Sequence, residues 1–195
     1  MGINAVVIYG TDIAASVFEN LKNLIPVIMN LEQTLTCLVT SYLLTKLGRK
    51  QILQGGTAVG IASLILIGAG FLLRGGSDHP DDTTTTTVGN VMILIGLVIF
   101  MADFGLSLGP VVWLYIPEIL EPDLIPFSTG ANWGAATLIT ILFPILKSAF
   151  GTPAPLFLFY AAYCLLGFLF SQKYVIETKG KSEKEIYDEY EKLTQ

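Results

Sequence analysis

The residues of this chain best suited to binding a ligand lie in one apolar segment and at the start of the next. Trp113 follows the pair Gly109-Pro110, and Asn132 directly precedes Trp133. An indole ring offers an apolar face and one N–H donor. An amide both donates and accepts hydrogen bonds, as hydroxyl groups require. These groups can hold a ligand by ring stacking and uncharged hydrogen bonds, without covalent chemistry.

The pair Gly109-Pro110 interrupts the helix that the apolar pattern otherwise predicts. Proline has no N–H, and its ring clashes with the carbonyl four residues back. In a bilayer such a break is tolerated only where protein or an aqueous cavity satisfies the freed backbone groups. We therefore predict that the break borders a cavity. Trp113 has a second interpretation, as an aromatic at the membrane interface, but its position just after the break favours a place nearer mid-span.

A polar stripe runs along an earlier apolar segment. At 100° per residue, five small or polar side chains fall on one side of the predicted helix: Asn30, Gln33, Thr34, Cys37 and Ser41. Such a stripe either packs against another helix or lines a pathway. Asn30 and Gln33 are accordingly candidate substrate-binding residues.

Two acidic residues lie inside apolar segments. Asp103 shares a helix face with Ser107 one turn later, and an intramembrane carboxylate is a candidate functional site. We favour a structural role for Asp103, as a hydrogen-bond acceptor for a neighbouring helix. Glu32 lies nearly opposite the polar stripe, where a charge facing lipid costs about 2.5 kcal/mol or more. Glu32 must therefore be near the outer interface, protonated or paired.

The composition is that of an integral membrane protein. Of the 195 residues, 52% are hydrophobic and 14% are charged, and the mean hydropathy is +0.64. The acidic residues gather in one loop and in the tail, and no basic stretch predicts nucleic-acid binding. Cys37 and Cys164 lie in apolar segments without a Cys or His cluster, so neither a metal site nor another cofactor is expected.

The hydrophobic pattern predicts an all-α, multi-pass membrane protein. The apolar segments lie at about 3–18, 24–45, 51–73, 88–117, 127–149 and 154–174. The first is shorter than the roughly 20 residues that cross a bilayer, so we interpret it as part of a truncated span. Residues 74–87 are predicted to form a polar loop without a function. In the tail, residues 175–195, Ser182 and Glu185 have the spacing of a capping box that begins a short amphipathic helix.

Basic residues are distributed unevenly between the two sides of these spans. Three fall on one side: Lys22, Arg74 and Lys147. Eight fall on the other: Lys46, Arg49, Lys50, Lys173, Lys179, Lys181, Lys184 and Lys192. Because cytoplasmic loops carry an excess of Lys and Arg, the C-terminus is predicted to be cytoplasmic.

Four stretches, in order along nearly the whole chain, resemble motifs of the sugar porters. This branch of the major facilitator superfamily includes facilitative glucose transporters and proton–sugar symporters. The stretch from Gly109 to Ile119, GPVVWLYIPEI, is similar to the family's tenth-helix motif. The other three are residues 2–9 (GINAVVIY), Gly48-Arg49-Lys50 and residues 177–182 (ETKGKS). The family has twelve spans, and this chain resembles the last six, beginning partway through the seventh.

The resemblance implies the location of a sugar site and of an outer gate. It makes Asn4, Trp113, Asn132 and Trp133 residues at or beside the bound sugar, and Tyr9 an outer gate residue.

The resemblance also implies ion pairs that lock the cytoplasmic side in the outward-facing state. Their members would be Arg49, Lys50, Glu118 and Glu177, and we predict a pair between Arg49 and Glu118. Without the resemblance, such residues are interpreted as solvated charges at the membrane interface.

The chain departs from the family pattern at several positions. A Gln-Gln pair normally precedes the motif around Asn4, and here the sequence begins at Met1. Thr45 and Ile176 stand where the family has an acid and a proline. The N-terminal half, with the acid that couples protons in symporters, is expected as a partner outside this chain, so uniport and symport both stay open.

The sequence therefore predicts transport of a hexose or related polyol by alternating access, with this chain as the C-terminal half of the transporter. The alternative is a truncated fragment that transports nothing and acts as a structural or regulatory membrane partner. An enzyme is not expected. Asp103 and Glu118 could act as catalytic carboxylates, but His79 lies in a loop and no nucleophile–base pair is visible.

Overall fold

The computed structural model describes residues 2–4, 6–7, 24–74 and 83–194. This part of the chain contains no strand and is almost entirely helical, which confirms the all-α prediction. After helical residues at 3–4 and 6–7, it contains α1 (Ile25–Lys46), α2 (Arg49–Leu73), α3 (Thr83–Leu106), α4 (Leu108–Ile119), α5 (Ile125–Phe150), α6 (Ala154–Tyr174) and α7 (Glu183–Thr194). A 3₁₀ turn, Pro122–Leu124, leads into α5.

Within the described residues, five helical stretches are long and apolar enough to cross a membrane. They are 20 to 34 residues long, and the longest, Thr86–Ile119, contains α4 and all but the first three residues of α3. Three of them, α1, α5 and α6, have a proline at their first or second position, where its missing N–H is not needed. Most of the first predicted segment, residues 3–18, lies outside the described residues.

The run of threonines from Thr83 to Thr87 is helical, which differs from the prediction. The sequence predicts a loop over residues 74–87, but α3 already begins at Thr83. The first N–H groups of a helix need no intrahelical acceptor, so polar residues are tolerated in the first turn. The apolar run that follows then extends the helix towards its N-terminus, because adding residues to a formed helix is favourable.

Three helices, α2, α3 and α6, form the most buried part of the bundle. Glycines let α2 and α3 approach closely, since a Cβ on Gly70 would lie 2.8 Å from the carbonyl oxygen of Gly89. Phe71 of α2 stacks on Phe157 of α6 with 5.7 Å between ring centroids. Lipid provides no hydrophobic driving force between helices, so close packing of this kind is what stabilises the bundle.

The faces of α1 and α5 are largely uncovered. Only 6% of the most apolar window of each is buried, against 50% in α2. Leu38, Phe127 and Ile145 are more than half exposed. Gly130 and Gly134 on α5 have no atom within 4 Å of an added Cβ. These two helices therefore present apolar surface to lipid or to another protein segment.

Candidate functional site

The long span breaks at Ser107, between α3 and α4, so the predicted pair Gly109-Pro110 lies in the first turn of α4 and not at the break itself. The backbone angles of Ser107, φ -127° and ψ -95°, lie outside the helical region. Pro110 explains the position of the break, because it lacks the N–H that a helix would direct to the carbonyl of Leu106. The Thr40 hydroxyl on α1 lies 2.9 Å from the carbonyl oxygens of Gly105 and of Thr36, between which its one proton is shared. A neighbouring helix thus supports the backbone at the break.

A cavity of about 750 Å³ lies beside the break. Its wall includes Gly109 and Pro110, together with residues from the N-terminal helical stretch, α1, α3 and α5. The structure brings all the predicted substrate-binding residues to this wall: Asn4, Asn30, Gln33, Trp113, Asn132 and Trp133. Tyr9, the predicted outer gate, lies outside the described residues.

The polar part of the wall is uncharged. No Asp, Glu, Lys, Arg or His is among the lining residues that the structure describes. Four amides offer donors and acceptors, and the Cys37 sulfur accepts a weak hydrogen bond from Gln33 Nε2 at 3.7 Å. Trp113 and Trp133 keep 44% and 60% of their surface exposed, which leaves ring area for a ligand. The wall thus suits a neutral solute with hydroxyl groups and an apolar face.

The polar stripe of α1 divides into two groups. Asn30, Gln33 and Cys37 line the cavity. Thr34 and Ser41 instead donate to carbonyls one turn earlier on their own helix, at 2.9 and 3.2 Å. Serine and threonine in helices are often satisfied in this way, so helical spacing alone does not separate the two groups.

Sequence reasoning missed the apolar part of the wall. Met29, Phe104 and Leu108 all line the cavity. An apolar side chain in an apolar segment gives no signal of its own. The only signal available is adjacency to a predicted residue, as for Met29 beside Asn30 and Leu108 beside Gly109.

A second polar cluster joins the start of α2, the end of α4 and the tail. The Arg49 guanidinium contacts Glu118 Oε1 through Nη2 at 2.8 Å and through Nε at 3.2 Å. Thr178 donates to Glu118 Oε2 at 2.6 Å. The two charged side chains are 22% and 28% exposed, so water screens the pair only in part. The predicted contact is present, and its role in gating stays a prediction.

Glu177 and Lys50 have other partners than the predicted ion pairs. Glu177 accepts hydrogen bonds from the backbone N–H groups of Arg49 at 2.8 Å and Lys50 at 3.2 Å, which begin α2. The Lys50 ammonium donates to the carbonyl of Gln172 at 3.1 Å. A helix N-terminus has unsatisfied N–H groups and a partial positive charge, so it competes with cations for a carboxylate. Glu177 therefore acts as a cap of α2.

Gly48 makes this cap possible, and its replacement tests the assignment. A Cβ on Gly48 would overlap the Glu177 carboxylate, so alanine must displace that group from the helix end. We expect Gly48→Ala to lower the free energy of unfolding by about 1 kcal/mol, the usual effect of a lost N-cap. Titration with SDS in mixed micelles, followed by circular dichroism, measures this change.

Gly55→Ala is the matched control on the same helix. Gly55 is exposed, with no atom within 4 Å of an added Cβ. Alanine there is expected to be neutral or slightly stabilising, because it has the higher helix propensity. If Gly48→Ala were as stable as Gly55→Ala, the capping role of Glu177 would be wrong.

Asp103 lies on α3, on the side that packs against α2. Neither Asp103 nor Glu32 lines the cavity. Asp103 is 6% exposed, and Ser107 Oγ lies 3.4 Å from its Oδ1. A Cβ on Gly56 of α2 would overlap Ser107 Oγ, so the helices are in close contact here. Among the described residues, Asp103 Oδ2 has no hydrogen-bond partner. The structural role favoured for Asp103 stays a prediction.

The tail helix α7 packs against α4. Its predicted capping box is present, with the N–H of Ser182 donating to Glu185 Oε2 at 2.7 Å. Hydrogen bonds from Ser182 hold the pKa of the Glu185 carboxyl below its usual value. Tyr190 shares a hydrogen bond of 2.8 Å with the hydroxyl of Tyr115 on α4, and Ile186 is buried. The tail therefore contacts α4 through Tyr190 as well as through Thr178.

The comparisons with known proteins find sugar transporters. A family model described as "Sugar (and other) transporter" matches residues 1–190. The facilitated trehalose transporter Tret1 of Bombyx mori is 34% identical over 95% of this chain and 36% of its own length. Facilitated glucose transporter member 8 of solute carrier family 2, from Bos taurus, is 30% identical over 97% of this chain and 43% of its own length. The glucose transporter GlcP of Staphylococcus epidermidis is 31% identical, with corresponding shares of 98% and 41%.

These relatives are longer proteins, and the chain spans about two fifths of their length. The matched residues nevertheless include all the membrane-spanning stretches described and the cavity. The chain belongs to the sugar porter family of the major facilitator superfamily.

Proposed function

We propose that this chain provides one half of an alternating-access pathway for a hexose or related polyol. The observation that carries the proposal is the chemistry of the cavity wall, where four amides and two indoles converge without a charged side chain among the described residues. Amides satisfy hydroxyl groups in either direction, and an indole covers the C–H face of a sugar ring. A charged substrate would find no counter-ion in this wall, and burying it there would be costly.

The names of the relatives support the same substrate class. They include a trehalose transporter and two glucose transporters. Both sugars are neutral and rich in hydroxyl groups, as the uncharged wall requires. The reaction is binding and release without covalent chemistry, and no group in the proposal acts as a catalyst.

A second six-helix half is the proposed partner. In transporters built from two repeats, the substrate lies at the interface between them. Both α1 and α5 contribute to the cavity wall and are largely uncovered. On α5, Gly130 and Gly134 form a small-residue face with no atom within 4 Å of an added Cβ, the kind of surface against which a membrane helix packs closely.

Access is proposed to be controlled at the end of α4 that carries Glu118. The pair of Arg49 with Glu118 ties that end to α2 at 2.8 Å. Because α4 also carries Trp113, release of the pair would free this helix to move and open the cavity on that side. The excess of Lys and Arg on this side supports its assignment as cytoplasmic.

Sugar binding to the purified chain in nanodiscs tests the proposal. Both tryptophans line the cavity, so the intrinsic fluorescence is expected to change on titration with glucose, trehalose or a polyol. Gluconate and glucosamine, which carry a charge, are the controls and are expected to give no change. Reconstitution together with the N-terminal half of a homologous sugar porter is expected to give uptake of the same neutral sugars into liposomes. No binding and no uptake of any neutral sugar would leave the chain as a structural or regulatory membrane partner.

A further inference from the structure

Thr40 makes a hydrogen bond that joins two helices next to the break. Its side chain is fully buried. The hydroxyl lies 2.9 Å from the carbonyl oxygen of Thr36 on its own helix and 2.9 Å from that of Gly105 on α3. A threonine can be satisfied by its own helix alone. Of these two contacts, the one with Gly105, across 65 positions of sequence, joins α1 to α3.

The break leaves the carbonyl of Gly105 without the backbone donor that a continuous helix would provide. In an unbroken helix, the N–H of Gly109 would donate to it, but the chain leaves helical geometry at Ser107, between the two. Pro110 has no N–H to offer to the next carbonyl. An unpaired carbonyl is costly in the apolar interior of a membrane. The Thr40 hydroxyl thus stabilises this bend over other geometries of the span.

The close approach of α1 and α3 at Gly105 also positions Gln33, a residue of the cavity wall. A Cβ on Gly105 would overlap Thr36 Oγ1 and lie 2.9 Å from Gln33 Nε2, so α1 approaches α3 here only because the residue is glycine. Gln33 on α1 and Trp113 on α4, the helix that follows the break, both line the cavity. The angle at the break therefore sets the position of the Trp113 ring relative to the Gln33 amide.

We propose that Thr40 is a positioning residue for the substrate site. Its hydrogen bond to the Gly105 carbonyl fixes the bend of the span and holds Trp113 in place relative to Gln33. Thr40 itself does not line the cavity, so it acts through these residues. The inference rests on the proposed function for its effect on sugar affinity, whereas the position of Trp113 is measured without sugar.

Three substitutions isolate the hydroxyl. Thr40→Val removes it at nearly constant shape, and Thr40→Ser restores it. Thr57→Val is the matched control, because Thr57 is also buried and its hydroxyl bonds to Leu53 of its own helix at 2.6 Å. For fluorescence, all proteins carry Trp133→Phe, since the chain has two tryptophans and Trp113 then reports alone.

Acrylamide quenching and the emission maximum of Trp113 are expected to change in Thr40→Val and to stay unchanged in Thr40→Ser and Thr57→Val, at equal helicity by circular dichroism. With Trp133 retained, the dissociation constant for a neutral sugar is expected to rise about fivefold in Thr40→Val, the equivalent of one hydrogen bond. The two other variants are expected to keep the affinity of the parent. If Thr40→Val does not fold, Thr40→Ala is measured in its place.

Identical quenching of Trp113 in Thr40→Val and Thr57→Val would overturn the positioning role, whether or not sugar binds. A changed Trp113 signal in Thr40→Val, without sugar binding by the parent protein, would support the positioning of Trp113 and count against the proposed function alone.

Discussion

Replacement of Trp113 by alanine is expected to weaken the binding of a neutral sugar by about 30-fold, the loss typical of a central aromatic contact. The ring lines the cavity beside the helix break and is 44% exposed. Its removal therefore takes contact area from a ligand more than packing from the core. Calorimetric titration of the purified chain in nanodiscs, with the sugar that binds best, measures the change.

Two further variants separate loss of contact from loss of stability. Trp113→Phe keeps an aromatic face and loses the N–H donor, so about fivefold weaker binding is expected. Phe170→Ala removes an aromatic side chain that is 59% exposed and does not line the cavity, and it is expected to leave the affinity unchanged. Undiminished affinity in Trp113→Ala, or an equal loss in Phe170→Ala, would rule out the indole as a sugar contact.

The spans and the polar half of the cavity could be predicted because their residues differ in polarity from the sequence around them. About 20 consecutive apolar residues have few stable alternatives to a membrane-spanning helix. An amide in such a segment is costly unless it meets a polar partner. Gln33 and Asn132 therefore had to face protein or a cavity, and the structure brings both to one wall.

The remaining features depend on which of several chemically suitable partners a side chain contacts. The sequence does not distinguish between these partners. A carboxylate such as Glu177 suits a cation and a helix N-terminus alike, and only the fold brings it to the first N–H groups of α2. Thr40 looks like any threonine that bonds its own helix. Its contact with Gly105 depends on how two helices far apart in sequence pack together. Local patterns do not contain that information.

Charge reversal at Arg49 is expected to destabilise the protein by about 2 to 3 kcal/mol, somewhat less than the loss of a fully buried pair. The guanidinium holds Glu118 through two hydrogen bonds. Glu177 lies at the same helix end, where its Oε1 accepts a hydrogen bond from the backbone N–H of Arg49 at 2.8 Å. Arg49→Glu therefore places two carboxylates in contact, with a third, that of Glu177, at the same helix end. The side chains are 22% and 28% exposed, so water relieves part of this repulsion.

A double exchange distinguishes the pair from the separate charges. Glu118→Arg alone places two cations together, whereas Arg49→Glu with Glu118→Arg restores attraction. The two single variants together set the loss of stability expected without coupling. We expect the double variant to lose about 1 to 2 kcal/mol less than that sum, within the usual range for contacting residues. Titration with SDS of the parent, the two single variants and the double variant gives this coupling free energy.

Lys50→Glu is the control for charge reversal at this helix end. The Lys50 ammonium contacts the Gln172 carbonyl and no carboxylate in the described part of the chain. Only the Lys50 backbone N–H bonds to Glu177, so reversal of the side-chain charge is expected to cost at most about 1 kcal/mol. It is also expected to show no coupling to Glu118→Arg. If the losses at Arg49 and Glu118 were simply additive, the pair would not tie α2 to α4. A positive coupling would show that the pair ties α2 to the end of α4, the helix that carries Trp113, as the proposed control of access requires.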